Sequence, residues 1–341
     1  MKAIQITKPF EINVIEKEKP VLKEGEALLR VLYCGICGAD VASFTGNQPF
    51  TTYPRIPGHE FSAQIVEIPE NDRGFRAGDI ITCNPYFNCG ECYACKRGLV
   101  NACHDNQTMG VQRDGSFQEF ITMPIERLIN GKGLSAKELA LIEPFSISAH
   151  ALSRAEVKKG DKLLIMGSGP IGLFALLRAK SMGAEVAVAD LLESRLSLAK
   201  SYGADMIINS KTDDFEEKCR EFTNGNGFDV CVEACGAPET FLSCIEQAAH
   251  GANVILIGNG KRETTFVHSI ILKKELNIFG SRNAFTKDFE TLIDLVASKK
   301  VDIEGMVSDV YTVDSAEKAF KALAENDGSL NKLVIKFNDA E

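Results

Sequence analysis

Short apolar runs separated by Gly, Pro and Asn dominate the first third of the chain. Glu26–Leu32, Phe61–Glu67, Asp79–Cys83 and Ser116–Thr122 alternate or cluster β-branched residues over strand-length stretches. This texture predicts an all-β region from Lys2 to about Ile129, with Met1–Val14 as its first strand. A helical spacing takes over between Glu143 and Leu152, and a domain boundary is expected near residue 150. From Asp161 onward, apolar strands alternate with helix-length segments. The strand candidates are Lys162–Met166, Glu185–Ala189, Met206–Asn209, Val230–Ala234, Asn253–Gly258 and Glu275–Phe279. Such alternation predicts an α/β fold with a doubly wound parallel sheet. Beyond Gly280 the pattern gives a helix at Asp288–Ser298, a strand near Val307–Tyr311, a helix at Ser315–Glu325 and a closing strand at Lys332–Phe337. These last pieces can return to the first domain.

Composition narrows the function classes. The chain has 341 residues, 45% hydrophobic and 25% charged, with a formal net charge of −9. That is the mix of a soluble two-domain protein, and no basic field recruits nucleic acid or anionic lipid. The most apolar stretch, Leu163–Leu177, is broken by glycines and a proline and is too short to span a bilayer. The amino terminus lacks the plan of a secretory signal, so a cytoplasmic protein without nucleic-acid or membrane partners is expected. Eleven cysteines, an odd number at uneven spacing, argue for reduced thiols and metal ligands rather than a disulfide framework.

The strand Lys162–Met166 runs into Gly167-Ser168-Gly169-Pro170-Ile171-Gly172 and then a helical run. In that context Gly167 permits a tight turn, Gly169 lets backbone approach a pyrophosphate, and Gly172 lets helix and strand pack closely. The helix start offers unpaired N–H groups to the phosphates. Asp190 ends the next strand, placed to accept both ribose hydroxyls and to repel a 2′-phosphate, which favours NAD over NADP. Arg195 nearby keeps NADP open, and it can equally grip the adenosine ribose or lie on a solvated helix face.

Two groups of metal-ligand type stand out. Cys89, Cys92, Cys95 and Cys103 follow C-x2-C-x2-C-x7-C, a spacing that closes a tetrahedron around Zn²⁺ with no open position, hence a structural ion. Iron–sulfur ligation is the alternative, but His104 stands where a proline usually follows the fourth cysteine. Cys37, His59 with its neighbour Glu60, and Glu143 are scattered, yet a thiolate, an imidazole and one carboxylate would neutralise Zn²⁺ and leave a fourth position for a substrate oxygen. Singly, each has a plainer explanation: a small buried thiol, a polar residue at a strand start, a cap before Pro144. Cys34 and Cys37 also spell C-x-x-C, without a thioredoxin-like context.

Taken in order, Cys34-Gly35-Ile36-Cys37-Gly38-Ala39-Asp40, Pro57-Gly58-His59-Glu60, the four-cysteine lobe, Leu141-Ile142-Glu143-Pro144-Phe145-Ser146-Ile147-Ser148-Ala149-His150 and the glycine turn resemble the zinc-containing medium-chain dehydrogenases. Sorbitol, threonine and galactitol-phosphate dehydrogenases form that group. The resemblance covers essentially the whole chain. It implies a GroES-like β-rich catalytic domain, residues 1–147 and 284–341 with the structural zinc lobe at 84–104, and a Rossmann NAD-binding domain at 148–283. It further implies an active site in the cleft, two Zn²⁺ per chain, NAD, a small hydroxylated substrate and a homodimer or homotetramer. Cys37 and His59 match the catalytic-zinc ligands, Glu143 the third-ligand position and Glu60 a carboxylate that can exchange with it. Asp40 matches a carboxylate expected to orient His59.

One departure concerns the proton. Family members usually carry Ser or Thr two positions after the first ligand cysteine and often His three positions later, where this chain has Ala39 and Ala42. Ser43 is a weak substitute. Within the family, Gly46–Phe50, Tyr53-Pro54-Arg55, Glu143–His150 and Gly280–Ala284 are most similar to L-galactonate-type sugar-acid dehydrogenases. Arg282, with Asn283 beside it, is the candidate for a substrate carboxylate. The expected activity is therefore NAD-dependent oxidation of a secondary hydroxyl of a polyol or sugar acid. The alternatives are a threonine or sugar-alcohol-phosphate dehydrogenase, or a catalytically weak NAD-responsive regulator.

Overall fold

The strand Glu26–Gly35 organises the first of the two units into which the chain divides, in a computed structural model that describes residues 1–340. That unit comprises Met1–Pro144 together with the segment from Ala284 onward. Its main sheet has seven strands. Val307–Thr312, Lys332–Lys336, Glu26–Gly35, Glu60–Glu67, Ile80–Cys83 and Leu128–Asn130 follow one another across it, and Phe120–Pro124 also pairs with Glu26–Gly35. All of these pairings are antiparallel except that of Val307–Thr312 with Lys332–Lys336. The central strand is buried along nearly its whole length, which is why its sequence reads as an apolar run more than a strict alternation.

The carboxy-terminal segment enters this core through aromatic packing. Phe320, on the helix Ala316–Ala324, lies 5.8 Å from both Phe44 and Phe117 in edge-on contacts. Met1–Val14, expected as one strand, is instead a hairpin of Lys2–Lys8 with Glu11–Glu16. The chain reverses at Pro9, which has no N–H for a ladder, and Phe10, which takes φ 64. Glu143 lies in the first turn of the helix Ile142–Arg154 rather than before it. Pro144 is tolerated there because the first turn has no intrahelical partner for its missing N–H.

The second unit, Phe145–Asn283, is a six-stranded parallel sheet. Its order is Met206–Asn209, Glu185–Asp190, Lys162–Met166, Phe228–Glu233, Ala248–Leu256 and Asn277–Gly280. The first strand in sequence is thus central, and the order reverses beside it, the arrangement that opens a crevice at the strand carboxyl ends. Among the described residues no helix is long and apolar enough to cross a membrane.

Candidate metal centres and dinucleotide loop

Segments far apart in the chain meet around Gly35. This residue pairs with Glu60 on one neighbouring strand and with Val334 on the other. A Cβ at Gly35 would lie 2.3 Å from Glu60 Oε2, so the absence of a side chain is what admits the carboxylate. Lys332 arrives on the other neighbouring strand. Its Nζ donates to Glu60 Oε1 at 2.5 Å and to Ile36 O at 3.2 Å, with both charged side chains almost fully buried. Burial opposes the charge on Lys332, but Glu60 and Cys37 outweigh it and raise its pKa. A pair this deep survives only because each charge has its partner.

Cys37, His59 and Glu60 come together, with one donor atom from each lying within 4.8 Å of the others. Asp40, on the short helix Gly38–Phe44, ties the two loops that carry them: Oδ2 accepts from Cys37 N at 2.9 Å and Oδ1 from Gly58 N at 3.0 Å. Its expected bond to His59 is not formed, since His59 Nδ1 lies 3.9 Å from Asp40 Oδ1. The carboxylate positions the His59 loop through backbone instead. His59 Nδ1 and Glu60 Oε2 are buried without a hydrogen-bond partner. A thiol, an imidazole and a carboxylate converging in a desolvated site, with such orphan atoms, are a donor set that fits Zn²⁺. Burial raises the Cys37 pKa. At His59 burial disfavours the cation, yet the surrounding charges of Cys37, Asp40 and Glu143 prevail and push its pKa well up.

Glu143 stands beside this group, buried, with its Oε1 accepting from the Tyr86 hydroxyl. Burial pushes Glu143 up to about 7, against the opposing pull of His59. Tyr86 itself is clamped. Its N–H donates to Asn84 Oδ1 at 3.0 Å, its carbonyl accepts from Arg127 at 2.5 Å, and Asn84 in turn donates to Thr286 at 3.1 Å. Neither Tyr86 nor Lys332 emerges from sequence reasoning. The only hint is a lysine opening a strand whose three middle residues are apolar, Lys332–Lys336.

The four lobe cysteines also gather, one sulfur from each within 4.8 Å of the others, and none is in a disulfide. Backbone N–H groups point at the sulfurs, from Cys89 to Cys103 at 3.3 Å and from Cys92 to Cys89 at 3.4 Å. Backbone donation from Cys95 and His104 lowers the Cys92 pKa to about 6, whereas burial raises that of Cys103 to about 11. Four sulfurs within reach of a single ion suit a structural Zn²⁺.

In the second unit, Gly167 has φ +98, and a Cβ at Gly172 would sit 1.8 Å from Gly167 O. Nothing lies within 4 Å of a Cβ built on Gly169, which caps the helix Pro170–Ser181 without a side-chain bond. The uncapped N–H groups and the open space fit a pyrophosphate. Asp190 Oδ2 accepts from Ser168 N and Oγ at 2.7 and 2.9 Å, and Oδ1 from Leu191 N and Leu192 N at 2.7 and 3.0 Å. Arg195 lies in the first turn of the following helix, Glu193–Ser201. Arg282 is exposed, and Asn283 takes φ 52. Ser43 Oγ is engaged by Ala39 O at 3.0 Å and Thr51 Oγ1 at 2.7 Å, so its hydroxyl is committed to its own helix and to Thr51.

Comparison with known proteins gives a consistent picture. Residues 23–132 match the alcohol dehydrogenase GroES-like domain and residues 170–298 the zinc-binding dehydrogenase domain. The chain is 33% identical over 337 residues to the L-galactonate-5-dehydrogenase of Escherichia coli K12, covering 99% of each. It is 33% identical to the sorbitol dehydrogenase of Halalkalibacterium halodurans, over 91% of this chain and 92% of that one. A crystal structure of an alcohol dehydrogenase from Escherichia coli CFT073 with NADH superposes with a TM-score of 0.92 at 29% identity, covering 99% of both chains.

Proposed function

The chain belongs to the zinc-dependent alcohol dehydrogenase family, and from that premise we propose that it oxidises a secondary hydroxyl of a sugar acid, of the L-galactonate kind, with NAD. The grouping of Cys37, His59 and Glu60 around two unpartnered buried atoms is the observation that carries the reading. Zinc there would supply Lewis-acid stabilisation of the developing oxyanion, and the dinucleotide would take the hydride. Cys37 and Glu60 offer two negative charges and His59 a neutral donor, leaving one position for the substrate oxygen. Lys332 holds Glu60 in place and keeps the centre from carrying excess negative charge. The four-cysteine lobe would hold a second, structural Zn²⁺.

On the cofactor side, the Asp190 carboxylate favours NAD by repelling a 2′-phosphate. Its four present donors fill its acceptor sites, and the rotatable Ser168 hydroxyl is the one that a ribose hydroxyl would displace. For the acid, an exposed guanidinium at Arg282 provides the charge complement.

The test is an assay of purified protein with NAD and with NADP against aldonates, neutral polyols and threonine. We expect chelator-sensitive reduction of NAD with an aldonate; a zinc-replete protein silent across the panel, or faster with NADP, refutes the corresponding part. Arg282→Ala should raise KM for the aldonate about 10-fold or more, the worth of a charge-assisted hydrogen bond. KM for a neutral polyol should change little. Equal effects on both substrates remove Arg282 from acid recognition.

A further inference from the structure

Two carboxylates flank a centre that has room for one. Three protein ligands leave zinc a position for substrate, whereas four close it. Glu60 and Glu143 differ in how they are held. Glu60 Oε1 is bonded to Lys332, while its Oε2 is buried, unpartnered and grouped with Cys37 and His59. Glu143 does not join that group, and its Oε1 accepts from the Tyr86 hydroxyl.

We propose that Tyr86 is a positioning residue that withholds Glu143 from the metal, leaving Glu60 as the third protein ligand and the fourth position open. The proposal rests on the reading that Cys37, His59 and Glu60 hold zinc. The hydroxyl can do this because its backbone is fixed at both ends, by Asn84 at the amide and Arg127 at the carbonyl. Asn84 is itself anchored to Thr286 on a segment 202 residues away. Tyr86 is also buried, as is Glu143, so their contact is largely shielded from solvent. A side chain so held acts as a fixed strut for the Glu143 carboxylate.

The experiment reads the metal rather than turnover. Full-length protein is stripped, reloaded with Co²⁺ and examined by visible absorption, with the difference between wild type and Cys37→Ser isolating this centre from the four-cysteine lobe. Imidazole titration then reports the open position. Tyr86→Phe, which removes only the hydroxyl, should change the cobalt bands and weaken imidazole binding about 10-fold as Glu143 occupies the vacant position. Tyr86→Phe with Glu143→Gln should restore the wild-type bands and affinity, since the competing carboxylate is gone. Wild-type bands in Tyr86→Phe overturn the proposal, as does a change that persists in the double variant. No difference between wild type and Cys37→Ser instead overturns the zinc reading beneath it.

Discussion

Cys37→Ser is expected to lower kcat/KM with the preferred alcohol by at least about 10³-fold, the loss of several kcal/mol of oxyanion stabilisation at about 1.4 kcal/mol per tenfold. The change is a single atom, but a serine hydroxyl stays protonated where a thiol can be displaced to thiolate by the ion. Burial already raises the Cys37 pKa, which favours the thiol until an ion draws the charge out. Zinc content should fall from about two ions per chain to about one, the lobe retaining its own. NAD binding, followed by fluorescence, should change less than about twofold, because Gly167, Gly172 and Asp190 form their loop within the second unit. A Cys37→Ser enzyme with near wild-type turnover would remove the metal centre from the chemistry. One that loses NAD binding as well would point to misfolding rather than to lost catalysis.

How much of this was legible beforehand depended on sequence distance. The parallel sheet is readable because strands such as Lys162–Met166 and Glu185–Asp190 hold several consecutive apolar residues followed by a turn signal, and the glycine loop and Asp190 lie within one such unit. The lobe cysteines were readable because four ligands fit in one loop. Cys37, His59 and Glu60 were placed by resemblance, since local spacing cannot bring together two loops that Asp40 ties through backbone bonds. Lys332 was invisible for the same reason, magnified: it meets Glu60 across 272 residues, through a sheet in which Glu26–Gly35 lies between their strands. Tyr86 sits in Asn84-Pro85-Tyr86-Phe87, where nothing local distinguishes a strut from a packed aromatic. The amino-terminal hairpin is hidden because Pro9 alone breaks the strand pattern and Phe10, an uncommon residue for positive φ, gives no turn signal.

Cys95→Ser is expected to open the lobe while leaving both main sheets folded. The segment between Asn88 and His104 has almost no apolar interior: the helix Tyr93–Lys96 buries none of its residues, and Tyr93 and Leu99 face solvent. What fixes it is the four sulfurs, and a structural Zn²⁺ contributes about 10–16 kcal/mol of apparent binding energy in small zinc domains. With three ligands much of that is lost, and no hydrophobic contact inside the lobe offsets it. Limited proteolysis should therefore cut within residues 88–104 at least about tenfold faster than in wild type, with one zinc missing. The effect should also reach the Cys37 centre. Arg127 donates to Asn88 in the lobe at 3.1 Å and to the Tyr86 carbonyl at 2.5 Å. Release of Asn88 frees one end of that bridge, so the cobalt bands of the Cys37 centre should shift in the same direction as in Tyr86→Phe, though less. A lobe that stays protease-resistant after losing its zinc would show that the loop is held by something other than its metal. An open lobe with unchanged cobalt bands would show that Asn84 and Thr286 alone keep Tyr86 in place.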